Sequence, residues 1–356
     1  MRTTTLFAAF IALSLLNGCA QPPRQVTADD FQILRSYGWD TTVAEPQATW
    51  NPETYQVLAR SVGGFVLLDE GAGKQQYFAS RGKHETAFPV WVSARQFAFG
   101  PKDNVITTTD GRVVPTSEGL SVVTLLETIT GKDAPLPPKN LTSYGYRPKV
   151  WGRNLVAASE DRIYLIDPFG TIAEFGLGFM PEPQRKGEGI AWQDRPVLET
   201  DHWIGSATRR GNLIIRWRSG ITTTIPNAVE ARWTSSGGVL CTVMRAEPVP
   251  GQPWWSGGTD IYHLAHAKAV PVLVAADARS PAPHPHKPAC AAVGSSGALI
   301  ICGFDGSFRH QIAPSGEAPA WSHDGRRLMA EEPVDGRTET RYLHVYVFKS
   351  TDDAKK

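Results

Sequence analysis

The chain has 356 residues, with 33 Gly, 27 Pro and 11 Trp, and its 36 Lys+Arg nearly cancel its 35 Asp+Glu. That neutrality excludes a phosphate-binding surface and a polybasic membrane patch, since both need an excess of positive charge. A hydrophobic fraction of 41% excludes disorder, and the length admits two domains or one large all-β domain.

Arg2 supplies a short positive start, and Leu6 to Leu16 is apolar except for Ser14. This stretch falls short of the roughly 20 apolar residues that span a bilayer, so it reads as an export signal removed from the mature chain. Leu16-Asn17-Gly18-Cys19 follows, an aliphatic residue three before a Cys with a small residue just before it. The segment resembles the lipobox of bacterial lipoproteins. The resemblance implies that residues 1–18 are the signal peptide and that Cys19 is diacylated as the first mature residue. It also implies outer-membrane sorting toward the periplasm, because Ala20 stands where an Asp would retain the protein at the inner membrane. Residues 19–30 are polar and Pro-containing, a tether between the lipid and a domain over 31–349. Removal of Arg2 takes the formal charge from +1 to 0 (+1 − 1) and leaves Cys241, Cys290 and Cys302. Three thiols leave at least one unpaired in the chain, and no CxxC or Cys/His spacing suggests zinc.

Beyond residue 40 helical periodicity is nearly absent. Short β-rich runs alternate with Gly, Asn, Asp, Ser and Pro, as in Arg162–Ile166 before Asp167-Pro168, Asn212–Trp217 before Ser219-Gly220, and Leu299–Phe304 before Asp305-Gly306. About twenty-five such strands are too many for one sandwich. Tryptophans recur at Trp50, Trp91, Trp151, Trp192, Trp233 and Trp321, separated by 41, 60, 41, 41 and 88 residues, and apolar strands follow them. Cys290 falls near the same position in the long last gap. A period near 40 with about four short strands per unit is what a β-propeller blade requires, with the indoles between neighbouring sheets. Blades starting at 50, 91, 151, 192, 233, 290 and 321 number seven, with six as the alternative. Phe31 to Val43 is expected to close the ring as an outer strand of the last blade, and 350–356 is a polar tail. Pro319-Ala320-Trp321-Ser322-His323-Asp324-Gly325 resembles the P-x-W-S-x-D-G repeat of TolB-like, WD40-like propellers. Earlier copies keep Pro and Trp but lose Asp-Gly, so the resemblance implies architecture only.

In a propeller, the loops entering the inner strands gather at one mouth of the axial channel. Residues just before each repeat Trp are therefore site candidates: Glu85, Arg147, Glu188, Glu230, Arg232, His284, His286 and Glu317. Solvated pairing across the ring is the plainer role for them. His284-Pro285-His286, with His263 and His266 nearby in sequence, is the most metal-like feature, but it also reads as a Pro-rich connector. The insertion 246–258 carries Trp254 and Trp255, suited either to a binding surface or to a cover over the blade edge. A second insertion, 133–146, is a Pro-containing surface loop. No G-x-S-x-G, H-E-x-x-H, P-loop or G-x-G-x-x-G occurs, and Asp201-His202 lacks the spacing of a triad. The expectation is an exported, membrane-anchored lipoprotein whose propeller is a binding or scaffold module at the cell envelope. Its partner would be a protein or an envelope polymer, with no nucleic acid and no cofactor. The alternatives are a glycan- or peptide-directed hydrolase or lyase, or a small-ligand or metal binder using the axial channel.

Overall fold

The computed structural model describes residues 31–40, 48–61, 64–79, 86–101, 105–107, 113–115, 121–124, 146–159, 162–167, 172–185, 187–194, 211–248, 252, 254–334 and 337–348. Among these residues the strands form seven antiparallel sheets of three or four strands and one two-stranded ribbon. No described helix is long and apolar enough to cross a membrane. Blade 1 comprises Thr49–Trp50, Gln56–Ser61, Gly64–Asp69 and Lys74–Ala79. Blade 2 comprises Thr86–Ser93, Gln96–Pro101 and Ser121–Thr124, with the ribbon Val105–Thr107 and Val113–Pro115 inserted before its third strand. Blade 3 begins with Tyr146–Trp151, blade 4 with Phe179–Pro183, blade 5 with Ala228–Trp233, blade 6 with Ala278–Pro283 and blade 7 with Glu317–Trp321.

The first strands of successive blades touch one another all round, blade 7 against blade 1 included, so they are the inner strands about an axis. Middle strands bury both faces and therefore read as apolar runs rather than alternations. In blade 7, Leu328 and Ala330 pack on Ala291, Leu299 and Ile301 of blade 6, while Met329 on the other face packs on Trp50, Val57 and Leu68 of blade 1. Outer strands return to alternation, as Thr222–Pro226 does with its exposed Thr222 and Thr224. The expected N-terminal strand is present. Phe31–Asp40 pairs antiparallel with Arg337–Phe348 as the outermost strand of blade 7, Ser36 opposite His344.

Two blade starts differ from the sequence reading. Trp192 lies on the second strand of blade 4, Ile190–Gln193, and Cys290 on the second strand of blade 6, Ala289–Gly294. The residues that end the inner strands of those blades are Pro183 and Pro283. The turn after each inner strand establishes this alignment. Gln184 N–H donates to Gly189 O, His284 N–H to Ala289 O, Asn51 N–H to Gln56 O and Ser322 N–H to Arg327 O, each the residue just after the repeat position. The two separations of 41 that flank Trp192 were thus a coincidence, although Trp192 still packs between sheets, 5.9 Å from Phe175 of blade 3.

Four of the five tryptophans at the true repeat position share one kind of partner, and the fifth, Trp151, donates instead to Gly187 O of the next blade. Trp91 Nε1–H donates to Thr49 O at 3.1 Å, Trp50 to Ala320 O at 2.9 Å, Trp233 to Glu182 O at 2.8 Å and Trp321 to Ala282 O at 3.0 Å. In each case the acceptor is the residue before the repeat position of the preceding blade. A large apolar body burying roughly 200 Å² and a single polar tip suit this slot between sheets. The Ser-His-Asp-Gly turn of blade 7 forms as its residues require. Ser322 Oγ donates to Asp324 Oδ1, and Gly325 adopts a φ of 70°. Gly325 also lies so close to the His284 ring that a Cβ there would stand 2.4 Å from it.

Candidate functional site

Six of the seven inner strands carry a register shift against the strand that follows, for example Ala228/Glu230, Arg279/Ala282 and Glu317/Ala320. A bulge re-aims side chains, and here the shifts accompany a set of charged groups on inner strands. Glu182 of blade 4 accepts from Lys149 of blade 3 and from Arg232 of blade 5, both at 3.2 Å from Oε2. Neither Lys149 nor Glu182 stands out in the sequence, and their partners come from neighbouring blades. Of the sequence candidates, Arg232 belongs to this cluster. Glu230 accepts from Thr242 Oγ1 at 2.7 Å, and from Ser280 N–H and Oγ of blade 6 at 2.9 and 3.3 Å.

Arg279, on the inner strand of blade 6, is 8% exposed and was not singled out by the sequence. Burial pulls its guanidinium below its ordinary pKa, against the opposing pull of Glu317 and Glu230. One N–H donates to Gly294 O at 3.3 Å, and the guanidinium lies over the Trp255 ring at 4.2 Å. Trp255 belongs to a short 3-10 helix, Trp254–Gly257, in the insertion between the second and third strands of blade 5. That insertion is fastened by Arg245, which pairs with Asp260 at 3.7 Å and with Asp277 at the start of blade 6. Trp255, half-buried, is thus held against the end of blade 6 where its inner strand begins. The side chain of Trp254 lies outside the described residues, as do Glu85, the Arg147 side chain, Cys19, Asp201, His202 and most of the 133–146 insertion.

Glu188 does not reach that mouth. It lies in the turn after the inner strand of blade 4, exposed, 3.9 Å from Arg218, because Trp192 belongs to the second strand and not the first. The same correction moves His284 and His286 to the opposite end of the ring. His284 Nδ1 accepts the backbone N–H groups of His286 and Lys287, both at 3.0 Å, which leaves Nε2–H to donate to Gly325 O at 3.1 Å. Both ring nitrogens are therefore occupied by backbone, and no lone pair faces a cation. His263 packs on Phe304 at 4.8 Å and His266 caps Lys268 N–H on an exposed turn, so neither converges on His284. Among the described residues no three His, Cys, Asp or Glu side chains group as a metal site. Cys241, Cys290 and Cys302 are free and buried. Burial pushes the Cys241 thiol up to about 12 and the Cys302 thiol to about 11, far from the thiolate that reactive cysteines need.

No family model matches the sequence, and no curated protein matches it. Solved structures do match. A chain of the mitotic checkpoint complex is 13% identical, with 90% of this chain and 96% of that chain covered and a TM-score of 0.60. The WD40 repeats of RRP9 are 10% identical, with 90% and 98% covered and a TM-score of 0.53. The tricorn protease is 10% identical with a TM-score of 0.53, but the match takes in 82% of this chain and only 33% of that one. Likeness at such identities carries architecture and not activity, and the architecture is that of a WD40-like β-propeller.

Proposed function

We propose that the chain is an exported, lipid-anchored scaffold. Its propeller presents the 246–258 insertion, with Trp254 and Trp255, to a protein or envelope-polymer partner at the cell envelope. The observation that carries this reading is the Trp255–Arg279 stack. An aromatic side chain on an insertion is held in place before any partner arrives, so binding loses little entropy in ordering it. The lipobox-like Leu16–Cys19 segment supports the anchor, and the tether 19–30 supports presentation away from the lipid. The charged residues of the inner strands pair with one another across blades, which suits a rigid frame better than a reacting centre.

Crosslinked pulldown from intact envelopes tests the scaffold. The paired change Trp254→Ala and Trp255→Ala should lower partner recovery at least tenfold and move the thermal midpoint by only about 3 °C, the value of one largely desolvated cation–π contact. A midpoint drop several times larger would make the pair a structural cover and end this assignment. Cys19→Ala should release the chain from membranes, and retention would refute the anchor.

A further inference from the structure

The outer half of blade 7 holds an arrangement that the axial site does not use. Ser36 on the outermost strand stands directly opposite His344, and Glu332 lies diagonally across from His344 on the next strand. The three side chains share one face. Ser36 Oγ is 2.8 Å from His344 Nδ1, and His344 Nε2 is 2.9 Å from Glu332 Oε2. Ser315 Oγ, on the loop entering blade 7, donates to the other oxygen of Glu332 and fixes that carboxylate. A carboxylate only accepts, so Nε2 carries the imidazole proton and the Nδ1 lone pair takes the Ser36 hydroxyl proton. Nucleophile, base and orienting carboxylate are thereby joined in the order that activates a serine.

We infer that Ser36 is a nucleophile activated by His344 and Glu332, acting on small carboxylic esters or thioesters. Ser36 is exposed, while the side chain of His344 is 17% exposed, so an acyl donor reaches the hydroxyl without entering the core. The exposed ring of Tyr342 stands 6.2 Å from the imidazole and favours an aryl or short acyl group. Ser36 belongs to the outermost strand, with no strand beyond it among the described residues. Alternate N–H groups along such an edge lack a ladder partner and supply donors beside the hydroxyl for a developing oxyanion. In the first step Ser36 Oγ bonds to the acyl carbon, its proton passes to Nδ1, and the departing alcohol or thiol carries that proton away. Water then attacks the acyl-serine, giving its proton to Nδ1. The carboxylic acid leaves and the proton returns to Ser36, so the sum is ester plus water to acid plus alcohol.

A fluorophosphonate probe and p-nitrophenyl acetate, offered to the purified chain, test this. Labelling should map to Ser36 by peptide mass spectrometry and vanish in Ser36→Ala, with the thermal midpoint unchanged. His344→Gln should lower the acylation rate about 100-fold, the usual worth of a positioned base, and Glu332→Gln should lower it while shifting its pH profile. Because the His344 change could disturb the sheet, Ser36→Cys provides a second readout. Its alkylation by iodoacetamide should be at least tenfold faster with His344 present than in the Ser36→Cys, His344→Gln pair. Wild-type labelling no greater than that of Ser36→Ala, or equal alkylation with and without His344, overturns the assignment.

Discussion

Where blades 7, 1 and 2 meet, one tryptophan at the end of each inner strand crosses to the carbonyl of the blade before it, Trp50 to Ala320 and Trp91 to Thr49. Where blade 5 meets blade 6, the same slot holds Pro283, which has no such donor, and the fastening is polar. There Glu230 takes Ser280 N–H and Oγ, and Trp255 covers Arg279. The seam between blades 3 and 4 follows suit, since Pro183 holds the slot. Trp151 donates across to Gly187 O at 2.9 Å, and Lys149 reaches Glu182. A repeat unit thus conserves its geometric slot more strictly than the chemistry that fills it. Charge at the axis gathers around Glu182, which meets Lys149 across one seam and Arg232 across the next whether or not an indole bonds there, and that is where the propeller has polar groups to offer a partner.

The largest effect should come from removing an indole. Trp91 is fully buried, so Trp91→Ala should cost about 3–5 kcal/mol, with Trp91→Phe losing about 1–3 kcal/mol by stranding the Thr49 carbonyl. Pro283→Ala, at the matching slot, should cost under about 1 kcal/mol, because no bond is lost there. Denaturant midpoints measure all three. Equal losses at Trp91 and Pro283 would erase the distinction between the two kinds of seam.

That distinction also marks what the sequence discloses. Trp50, Trp91, Trp151, Trp233 and Trp321 were legible because an indole is rare and the slot needs its size and its single donor. Pro183 and Pro283 were not, since proline is common in any loop-rich chain, and the spacing around Trp192 supplied a false substitute. The count of seven survived because Trp192 and Cys290, though on second strands, each lie within a separate blade and so still mark one blade apiece. The axial cluster was half legible. Glu230 and Arg232 sit next to a marked Trp, whereas Glu182 pairs with Arg232 across 50 residues, through bulges that no residue type announces. Ser36 and His344 are separated by 308 residues, and only the pairing of the N-terminal strand with the last blade brings them together.

A mid-sized effect should follow from the polar seam. Ser280 holds a φ of 52°, a left-handed conformation that costs a non-glycine residue about 1 kcal/mol or more. Glu230 compensates by accepting from its N–H and its hydroxyl. Glu230→Ala should therefore destabilise by about 2 kcal/mol, leaving Ser280 N–H and Thr242 Oγ1 without their acceptor. Ser280→Gly keeps the N–H and removes the strain, so it should be nearly neutral. If Glu230→Ala proved as mild as Ser280→Gly, the blade 5–6 seam would owe its strength to its apolar cluster alone.

The smallest of these effects at neutral pH, and one that changes in acid, concerns the seam between blades 6 and 7. Burial, aided by the charge of Lys287, holds His284 down to about 4, against the opposing pull of the Gly325 carbonyl. An unfolded histidine titrates near 6.5. Between those values the unfolded chain binds a proton that the folded chain does not. The contribution of this group is therefore whole above pH ~6.5 and declines as pH falls toward about 4. Asn51 shows how to remove the titration without removing the cap. Its Oδ1 accepts Glu53 and Thr54 N–H at 3.0 and 3.1 Å, the same two positions along the turn that His284 Nδ1 serves. His284→Asn should consequently keep the turn and lose about 1 kcal/mol at pH 7.5 with the Gly325 bond. Its denaturant midpoint should then run flatter than that of the parent from pH 6.5 down to 4. An unchanged slope would move the acid sensitivity to another buried imidazole such as His263, which burial also lowers. A flattened slope would establish that the turn capped by the His284 imidazole, unique in this among the described turns that follow an inner strand, is the propeller's acid-sensitive joint.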